Sequence, residues 1–449
     1  MDCFRIHGGV PLSGTVAVSG SKNAALPIMA AAILAQGPVI LDGVPRLSDV
    51  STLARLLCSL GLDVARQGDG SLRLETIDPL PTTAHYRLVR RMRASFCTLG
   101  PLLARRGRAR VGLPGGCRIG DRGVDLHLSG LAALGADIRL EQGYVIAQAA
   151  RLRGAEIDLR GPLGSTVTGT ANVMSAATLA EGRTVITSAA REPEIVDLGR
   201  FLIALGARIS GLGTDTLEIV GVAGLEATRY RIIPDRIEAG TLLMAAAITG
   251  GMVRVQGVVV EHLTAPLEAL AAAGLHIVCG PGEVTLHAPA PPRPISFTAL
   301  PYPGIPTDLQ AQFMALMSCA RGTSVLSDQV FPDRFTHVAE LRRLGADISR
   351  AGSRAIVRGV AKLSGAPVTA SDLRASAALV LAGLAAHGQT VVRKVHHLDR
   401  GYDALEEKLA QLGARITRCQ DHHNLGLLVA IGARNPAARR AFAAPIARR

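Results

Sequence analysis

The sequence is poor in aromatic residues, which make up 3% of its 449 positions. So few aromatic side chains argue against the base-stacking platforms that bind single-stranded nucleic acid. The seven cysteines include no C-x-x-C pair, so neither a disulfide framework nor a zinc site is predicted. The longest apolar runs, Ala24–Ala35 and Ala375–Ala386, fall short of the roughly 20 residues that span a bilayer. The amino terminus lacks the basic-then-apolar order of a signal peptide. These absences predict a cytoplasmic enzyme or binding protein without a membrane partner.

Lysine is also scarce, and almost all of the positively charged residues are arginines. The net charge of +13 would suit a nucleic-acid partner, but the basic residues are spread along the whole chain. Together with the abundant alanine and glycine, the excess of arginine over lysine is typical of a compositional bias of the genome. A positive field would still concentrate a phosphorylated substrate. Nucleic acid is therefore not the expected partner. The lysines are Lys22, Lys362, Lys394 and Lys408.

A helix-ending phrase, L-G-x-x-[IV], recurs through the chain, once with alanine in place of leucine. Its copies are 68 to 74 residues apart, and an Ala- and Leu-rich stretch that ends in glycine precedes each one. The alternating helical and strand periods predict six α/β units, three in each of two lobes, with a boundary near Tyr230–Pro234. No glycine-rich nucleotide fingerprint follows a strand, which argues against a doubly wound nucleotide-binding sheet. The glycines of the phrase are Gly61, Gly135, Gly206, Gly274, Gly345 and Gly413.

The first helix of each predicted unit begins with residues that suit an anion. Helix amino termini offer free N–H groups and a partial positive charge. Capping alone explains the Ser, Thr and Asp at these starts, but the helix dipole disfavours Lys and Arg there. The added positive charge therefore points to a ligand with several negative charges. The starts lie around Lys22, Arg93, Thr168, Asp235, Asp308 and Asp372.

Several motifs resemble those of the UDP-N-acetylglucosamine enolpyruvyl transferases over about residues 1–430. They are S-G-S-K-N-A-A, R-M-R-A-S, L-P-G-G-C-R-I-G, R-E-P-E-I-V-D, P-D-R-I-E-A-G-T, P-T-D-L-Q-A-Q-F, D-L-R-A-S and H-L-D-R-G-Y. The resemblance implies an inside-out α/β barrel of two lobes, each with three βαβαββ-like repeats, and an N-terminal strand that crosses into the C-terminal lobe. The expected lobes are residues 22–233 and residues 1–21 plus 234–430, followed by a basic, disordered tail at 431–449.

The same resemblance implies the first committed step of peptidoglycan synthesis in the bacterial cytoplasm. Its substrates are UDP-N-acetylglucosamine and phosphoenolpyruvate, phosphate is released, and neither a metal nor an organic cofactor takes part.

The glycine-rich segment 112–123 predicts a mobile lid that excludes water during transfer. Within it, Arg118 and Arg122 favour the thiolate of Cys117. An inert cysteine would suit a core better than such a polar loop. By resemblance Cys117 is the reactive thiol, which either forms a covalent adduct with phosphoenolpyruvate or supplies a proton.

Phosphoenolpyruvate carries a phosphate and a carboxylate, so its site needs several fixed positive groups. Lys22 stands in an arginine-rich chain, which indicates that an ammonium group is required there. The resemblance adds Arg93, Arg122 and Arg400 to this cluster. Addition of a sugar hydroxyl to the C=C bond needs a proton acceptor, for which Asp308 is the family's candidate. Because a helix start lowers the pKa of an acid, Asp308 either accepts the proton or orients the hydroxyl.

The remaining expected contacts hold the sugar nucleotide or support the active centre, and all follow from the resemblance. The sugar lies beside Asn23, Asp308 and Val330. Asp372 and Arg374 support the centre, either as an ion pair or as a helix-start pair on the surface. Uridine and diphosphate are held by Arg122, Gly123, Val124, Asp125, Leu126, Thr166, Val167 and Thr168.

Three positions depart from the family pattern. Gly123 stands where proline is usual, Ala171 replaces an acidic residue, and Phe331–Phe335 read F-P-D-R-F rather than F-E-N-R-F. Rival hypotheses are the sister transferase acting on shikimate 3-phosphate, an RNA-end-processing protein built on similar repeats, and a catalytically silent scaffold. The motifs L-P-G-G-C and R-x-V-D-L favour the UDP-sugar enzyme over the first. Salt-sensitive RNA binding would favour the second, and the intact Lys22, Cys117, Asp308 and Arg400 argue against the third.

Overall fold

The computed structural model describes residues 2–114 and 123–420, which form a mixed α/β structure. The strands are β1 (Asp2–His7), β2 (Ser13–Ala17), β3 (Ala35–Asp42), β4 (Leu62–Arg66), β5 (Leu72–Thr76), β6 (Thr83–Ala84), β7 (Arg108–Gly112), β8 (Asp137–Glu141), β9 (Tyr144–Gln148), β10 (Glu156–Asp158), β11 (Arg160–Gly161), β12 (Gly164–Ser165), β13 (Arg183–Thr187), β14 (Arg208–Ser210), β15 (Thr216–Val220), β16 (Leu225–Arg231), β17 (Met252–Gln256), β18 (His276–Gly280), β19 (Glu283–His287), β20 (Phe297–Ala299), β21 (Thr323–Asp328), β22 (Asp347–Ala351), β23 (Arg354–Arg358), β24 (Pro367–Thr369), β25 (Gln389–Arg393) and β26 (Arg415–Gln420).

The α-helices are α1 (Lys22–Ala31), α2 (Ser48–Ser59), α3 (Tyr86–Val89), α4 (Leu99–Arg106), α5 (Asp125–Ala133), α6 (Val167–Ala177), α7 (Pro193–Ala204), α8 (Arg236–Thr249), α9 (Thr264–Ala272), α10 (Thr307–Met317), α11 (Val338–Arg343), α12 (Leu373–Ala385) and α13 (Leu405–Gln411). Short 3₁₀ helices span Ala32–Leu34, Arg93–Thr98, Val260–Leu263 and Val395–Arg400.

Six four-stranded sheets in the described residues share one arrangement, and β11 and β12 form a small separate ribbon. In each of the six, one edge strand runs parallel to its neighbour and the other pairings are antiparallel. The strand orders are β16-β3-β5-β4, β6-β7-β9-β8, β10-β13-β15-β14, β2-β17-β19-β18, β20-β21-β23-β22 and β24-β25-β1-β26.

The chain crosses between its two halves twice. Strands β1 and β2 pair with β25, β26 and β17, so these two strands from the start of the chain lie in sheets formed otherwise by the second half. The two connections pass each other where Gly20 bridges to Pro234. A Cβ atom on Gly20 would lie 1.8 Å from the carbonyl oxygen of Gly43, so only glycine fits at this crossing.

The glycines of the L-G-x-x-[IV] phrase all adopt left-handed backbone, with φ between 84° and 108°. Each follows the last turn of a helix and precedes a strand. Residues with a Cβ atom rarely adopt this conformation, and a left-handed glycine satisfies the last carbonyl groups of a helix. The phrase therefore encodes a helix stop followed by a strand.

The buried hydrophobic residues form two separate clusters. One runs from Ala24 to Ile232, and the other combines Phe4–Val16 with Ile237–Ile416. Helices α8, α10 and α12 pack on one another within the second cluster, and α1 and α4 both contact α6 within the first. Except for α4, which ends in Arg105 and Arg106, these helices are buried along nearly their whole length, as expected of helices enclosed by other elements.

Candidate active site

A cavity of about 300 Å³ lies between the two hydrophobic clusters and is lined by residues of both halves. Basic side chains outnumber acidic ones in its described lining, by eight to five, so the cavity suits a ligand with several negative charges. The basic residues are Lys22, Arg90, Arg91, Arg93, Arg236, Arg334, Arg374 and Arg400, and the acidic ones are Asp49, Glu192, Glu194, Asp308 and Asp372.

Lys22 and Arg400 meet at one carboxylate, that of Asp49. Lys22 is the first residue of α1, Asp49 lies in the first turn of α2, and Arg400 ends the 3₁₀ helix Val395–Arg400. The Lys22 Nζ is 3.4 Å from one Asp49 oxygen, and the Arg400 Nε is 2.9 Å from the other. Burial lowers the pKa of Lys22, and the charge of Asp49 only partly restores it. The two basic residues predicted for phosphoenolpyruvate therefore lie together.

Asp308, which also lines the cavity, is held by two arginines. Its two oxygens lie 2.7 Å from Arg334 Nη1 and 2.7 Å from Arg374 Nη2. Asn23, from the other half of the chain, donates to the same carboxylate at 3.5 Å. Burial alone would raise the pKa of Asp308, but the two guanidinium groups outweigh it and hold that pKa well below its usual range. Asp308 is thus an ionised hydrogen-bond acceptor at neutral pH.

The expectation of an Asp372–Arg374 ion pair is wrong. The Asp372 carboxylate caps α12 by accepting the backbone N–H groups of Arg374 and Ala375. The Arg374 side chain turns instead to Asp308. Nor do the two residues lie on the surface, since Arg374 is 2% exposed and Asp372 8%. A cap residue satisfies free N–H groups through its oxygens, which directs its carboxylate along the helix start.

A second ion pair crosses between the halves beside the cavity. Arg236 makes two hydrogen bonds to Glu194, at 3.0 and 3.1 Å, and both side chains are buried. The ring of Tyr302 lies against the Arg236 guanidinium, 5.5 Å from its centroid. This pair was not predicted as part of the site, although its residues occur in the motifs R-E-P-E-I-V-D and P-D-R-I-E.

A buried hydrogen-bond chain supports the start of α6, where Val167 and Thr168 line the cavity. Gly100 N–H donates to the Asn172 side-chain oxygen, so the Asn172 amide nitrogen faces His127 Nδ1 at 2.8 Å. His127 Nδ1 is therefore an acceptor, and its Nε2–H donates to Thr168 Oγ1 at 3.1 Å. Thr166 caps α6 and lies outside the cavity lining.

The segment 123–126 begins directly after the undescribed residues 115–122. Arg93 donates to the Gly123 carbonyl oxygen at 2.6 Å, which ties the basic cavity wall to this segment. Val124 precedes α5 and Asp125 and Leu126 begin it; none of the three lines the described cavity. The predicted reactive Cys117 and its neighbour Arg122 lie outside the described residues, as does the tail 431–449.

Val330 lines the cavity as predicted for a sugar contact, held by a hydrogen bond from its N–H to Asp328 at 2.9 Å. In the stretch F-P-D-R-F, which differs from the family pattern, Asp333 lies outside the cavity lining and pairs with Arg350 at the surface. Ala171, a second departure from the family pattern, is buried against the cavity.

Sequence reasoning missed Asp49, Arg334 and the Glu194–Arg236 pair. Asp49 lies in the first turn of α2, where the helix dipole favours an acidic residue whatever its function, so its sequence position carries no sign of a role in the site. Arg334 could have been found, because it is the arginine that the F-P-D-R-F stretch keeps from the family pattern. Glu194 and Arg236 occur in the motifs R-E-P-E-I-V-D and P-D-R-I-E, but their pairing depends on how the two halves of the chain meet.

Two further features concern only the described part of the chain. No three His, Cys, Asp or Glu side chains in it are grouped so that they could hold a metal ion. None of its helices combines the length and apolar character that crossing a bilayer requires.

The sequence is similar to known proteins over nearly its full length. Residues 6–409 match the family model for EPSP synthase (3-phosphoshikimate 1-carboxyvinyltransferase). A UDP-N-acetylglucosamine 1-carboxyvinyltransferase of Anaeromyxobacter sp. is 55% identical, over 93% of this chain and 99% of that protein. One of the same name from Geobacter metallireducens is 53% identical, over 94% of this chain and all of that protein.

Solved structures share the fold. The enolpyruvyl transferase NikO from Streptomyces tendae superposes with a TM-score of 0.85 at 28% identity, over 94% of this chain and 99% of that one. EPSP synthase from Acinetobacter baumannii gives a TM-score of 0.72 at 20% identity, over 94% of this chain and all of that one, which is a likeness of fold alone.

Proposed function

The chain belongs to the enolpyruvyl transferase family, alongside the UDP-N-acetylglucosamine 1-carboxyvinyltransferases, and we propose from this that it acts on the same substrates as they do. It transfers the enolpyruvyl group of phosphoenolpyruvate to the 3′-hydroxyl of UDP-N-acetylglucosamine and releases phosphate. This reaction is the first committed step of peptidoglycan synthesis, in the cytoplasm. The observation that carries the proposal is the basic cavity, in which Lys22, Arg400 and Asp308 face one ligand space.

Lys22 and Arg400 bind the phosphate and carboxylate of phosphoenolpyruvate, together with Arg122. Asp49 holds both side chains in place, so little reorganisation is needed when the anion binds. Fixed positive groups also withdraw electrons from the phosphate as it leaves. Because burial lowers the pKa of Lys22, its ammonium group holds its proton less tightly than an ordinary lysine, whereas the arginines of this set stay charged.

Asp308 binds the 3′-hydroxyl of the sugar. Its low pKa makes it a weak base, so it orients the hydroxyl and takes the proton only while the new C–O bond forms. Addition places the sugar oxygen on C2 of phosphoenolpyruvate and a proton on C3. Elimination then breaks the C2–O bond to phosphate and removes a proton from C3, which restores the double bond. Cys117 serves this site as the covalent nucleophile or as the proton donor.

The sugar nucleotide occupies the wall built around α5 and α6. Thr166, Val167 and Thr168 surround the start of α6, whose N–H groups favour the diphosphate. Asn23 and Val330 contact the sugar. Asp372 supports this centre by capping α12, which fixes the backbone from which Arg374 reaches Asp308.

We also infer two lobes, residues 22–233 and residues 1–21 with 234–430, each made of three βαβαββ-like units around its own helices. The support is the pair of hydrophobic clusters, which divide at the Gly20–Pro234 crossing, and the shared order of the six sheets. In this inside-out arrangement the helices fill each lobe and the sheets lie outside. A cavity between two such lobes is suited to closure on its substrates.

The test measures phosphate release from phosphoenolpyruvate with and without UDP-N-acetylglucosamine. We expect release only when both substrates are present, and its collapse in Cys117→Ala. The matched control is Cys58→Ala, which alters an exposed cysteine on α2 and should leave release unchanged. Release that needs the sugar nucleotide but survives in Cys117→Ala would keep the reaction and remove Cys117 from it. Phosphate release from phosphoenolpyruvate that needs shikimate 3-phosphate instead of UDP-N-acetylglucosamine would overturn the proposed substrate.

A further inference from the structure

The first and last described strands place two cysteines directly opposite each other. Cys3 in β1 faces Cys419 in β26 across an antiparallel pair. Their sulfur atoms are 2.8 Å apart, which is about 0.8 Å more than a disulfide bond. Facing residues in antiparallel strands have Cα atoms roughly 4.5–5.5 Å apart, within the range that a disulfide requires. The strand register and the sulfur separation therefore both suit a disulfide bond between the two residues.

The two thiols differ in their access to solvent. Cys3 is 2% exposed, whereas Cys419 is partly exposed on the edge strand of the described sheet. Cys419 is therefore the more accessible of the two to a small oxidant, and the neighbouring buried thiol can then resolve the oxidised form. This pairing of an accessible and a resolving cysteine is the arrangement found in reversible thiol oxidation.

We propose that Cys3 and Cys419 form a reversible disulfide when the protein meets a peroxide. Hydrogen peroxide oxidises the Cys419 thiol to a sulfenic acid and releases water. The Cys3 thiolate then attacks the Cys419 sulfur, forming the S–S bond and expelling the oxygen as a second water after protonation. Two thiols and one peroxide thus give one disulfide and two waters. A dithiol reductant reverses the step.

The disulfide would tie the edge strand β26 to β1 and link positions 416 residues apart. Such a link removes conformational freedom from the unfolded chain, so it stabilises the folded one. It also holds Arg418, which pairs with Asp399 at 2.5 Å beside the proposed substrate ligand Arg400. We expect the oxidised protein to melt roughly 5 °C above the reduced one.

The experiment treats the full chain with hydrogen peroxide in a Cys117→Ser background, so that the proposed reactive thiol does not compete. After alkylation and digestion, mass spectrometry should find the Cys3–Cys419 linked peptide, and dithiothreitol should remove it. The gain in melting temperature should vanish in Cys419→Ser and persist in the control Cys279→Ser, which alters an exposed cysteine. Sulfinic acid at Cys419 without the linked peptide would overturn the proposal. So would a link that forms only in the urea-unfolded chain.

Discussion

Two carboxylates organise the cavity, and each contacts two basic side chains. Asp49 joins a lysine from its own half to an arginine from the other, Lys22 and Arg400. Asp308 contacts two arginines of its own half, Arg334 and Arg374, and reaches across only to Asn23. The Asp49 cluster therefore bridges the halves through charge, whereas the Asp308 cluster is assembled within one of them.

The chemistry of the two clusters differs with their partners. Arginine stays charged at any physiological pH, so Asp308 is held ionised by partners that cannot lose their protons. Lysine can lose its proton when it is buried, and the pKa of Lys22 is lowered for that reason. The difference indicates that one cluster supplies a fixed acceptor and the other an adjustable positive charge. Substitutions at four positions test this division of tasks.

Replacing Lys22 with methionine should have the largest effect. Methionine keeps much of the apolar stem but removes the ammonium group, so we expect kcat to fall about a thousandfold. The measurement is steady-state phosphate release with both substrates varied. Lys362→Met, at an exposed lysine, is the matched control. Activity within tenfold of wild type would contradict a role for Lys22 in transfer.

The pH profile of Lys22→Arg sharpens this prediction. Because the folded pKa of Lys22 is lowered, the active ammonium form is lost at a pH below the usual 10.5 of lysine. The alkaline limb of kcat/KM for phosphoenolpyruvate should therefore lie below that value in the wild type. In Lys22→Arg the remaining activity should keep its plateau to higher pH, since arginine stays protonated.

Asp308→Asn should lower kcat by about a hundredfold, since an amide cannot accept the hydroxyl proton. It also leaves the buried guanidinium of Arg374 without its charged partner, which costs roughly 3 kcal/mol of stability. The melting temperature must be measured as well, and activity must be assayed well below the unfolding transition. Asp347→Asn, at an exposed ion pair with Arg358, should change neither. A variant that loses stability but keeps kcat would leave Asp308 with a structural role only.

Local signals in the sequence predicted much of this cavity. The scarcity of lysine singled out Lys22, and the family resemblance assigned Asp308 from the short motif P-T-D-L-Q, so both depend on residues close in the chain. The glycine phrase predicted helix stops for the same reason, since a left-handed turn is a local requirement. The Asp49–Arg400 pair joins residues 351 apart and depends on how the halves meet, which no local pattern encodes. The direction of Arg374 toward Asp308 likewise depends on packing between α10 and α12.

Asp49→Asn should reduce kcat/KM for phosphoenolpyruvate roughly tenfold, the loss of about one charge-assisted hydrogen bond. If Asp49 had only a structural role, kcat/KM would fall without a shift in the pH profile. The charge of Asp49 raises the pKa of Lys22, so its removal should lower that pKa further and shift the alkaline limb to lower pH. Asp63→Asn, at an exposed acid on β4, is the control. An unchanged alkaline limb in Asp49→Asn would separate Asp49 from the tuning of Lys22.

The smallest effect is expected at the sugar-nucleotide wall, where His127 acts through Thr168 rather than on the substrate. His127→Ala removes the donor to Thr168 Oγ1, so we expect KM for UDP-N-acetylglucosamine to rise severalfold while kcat stays within about twofold. His127→Gln can offer an N–H group to the same hydroxyl and should recover part of the affinity. His276→Ala, at an exposed histidine, should change neither constant. If kcat falls in His127→Ala with KM unchanged, this wall acts on transfer, and the contrast between an adjustable and a fixed cluster no longer accounts for the chemistry of the cavity.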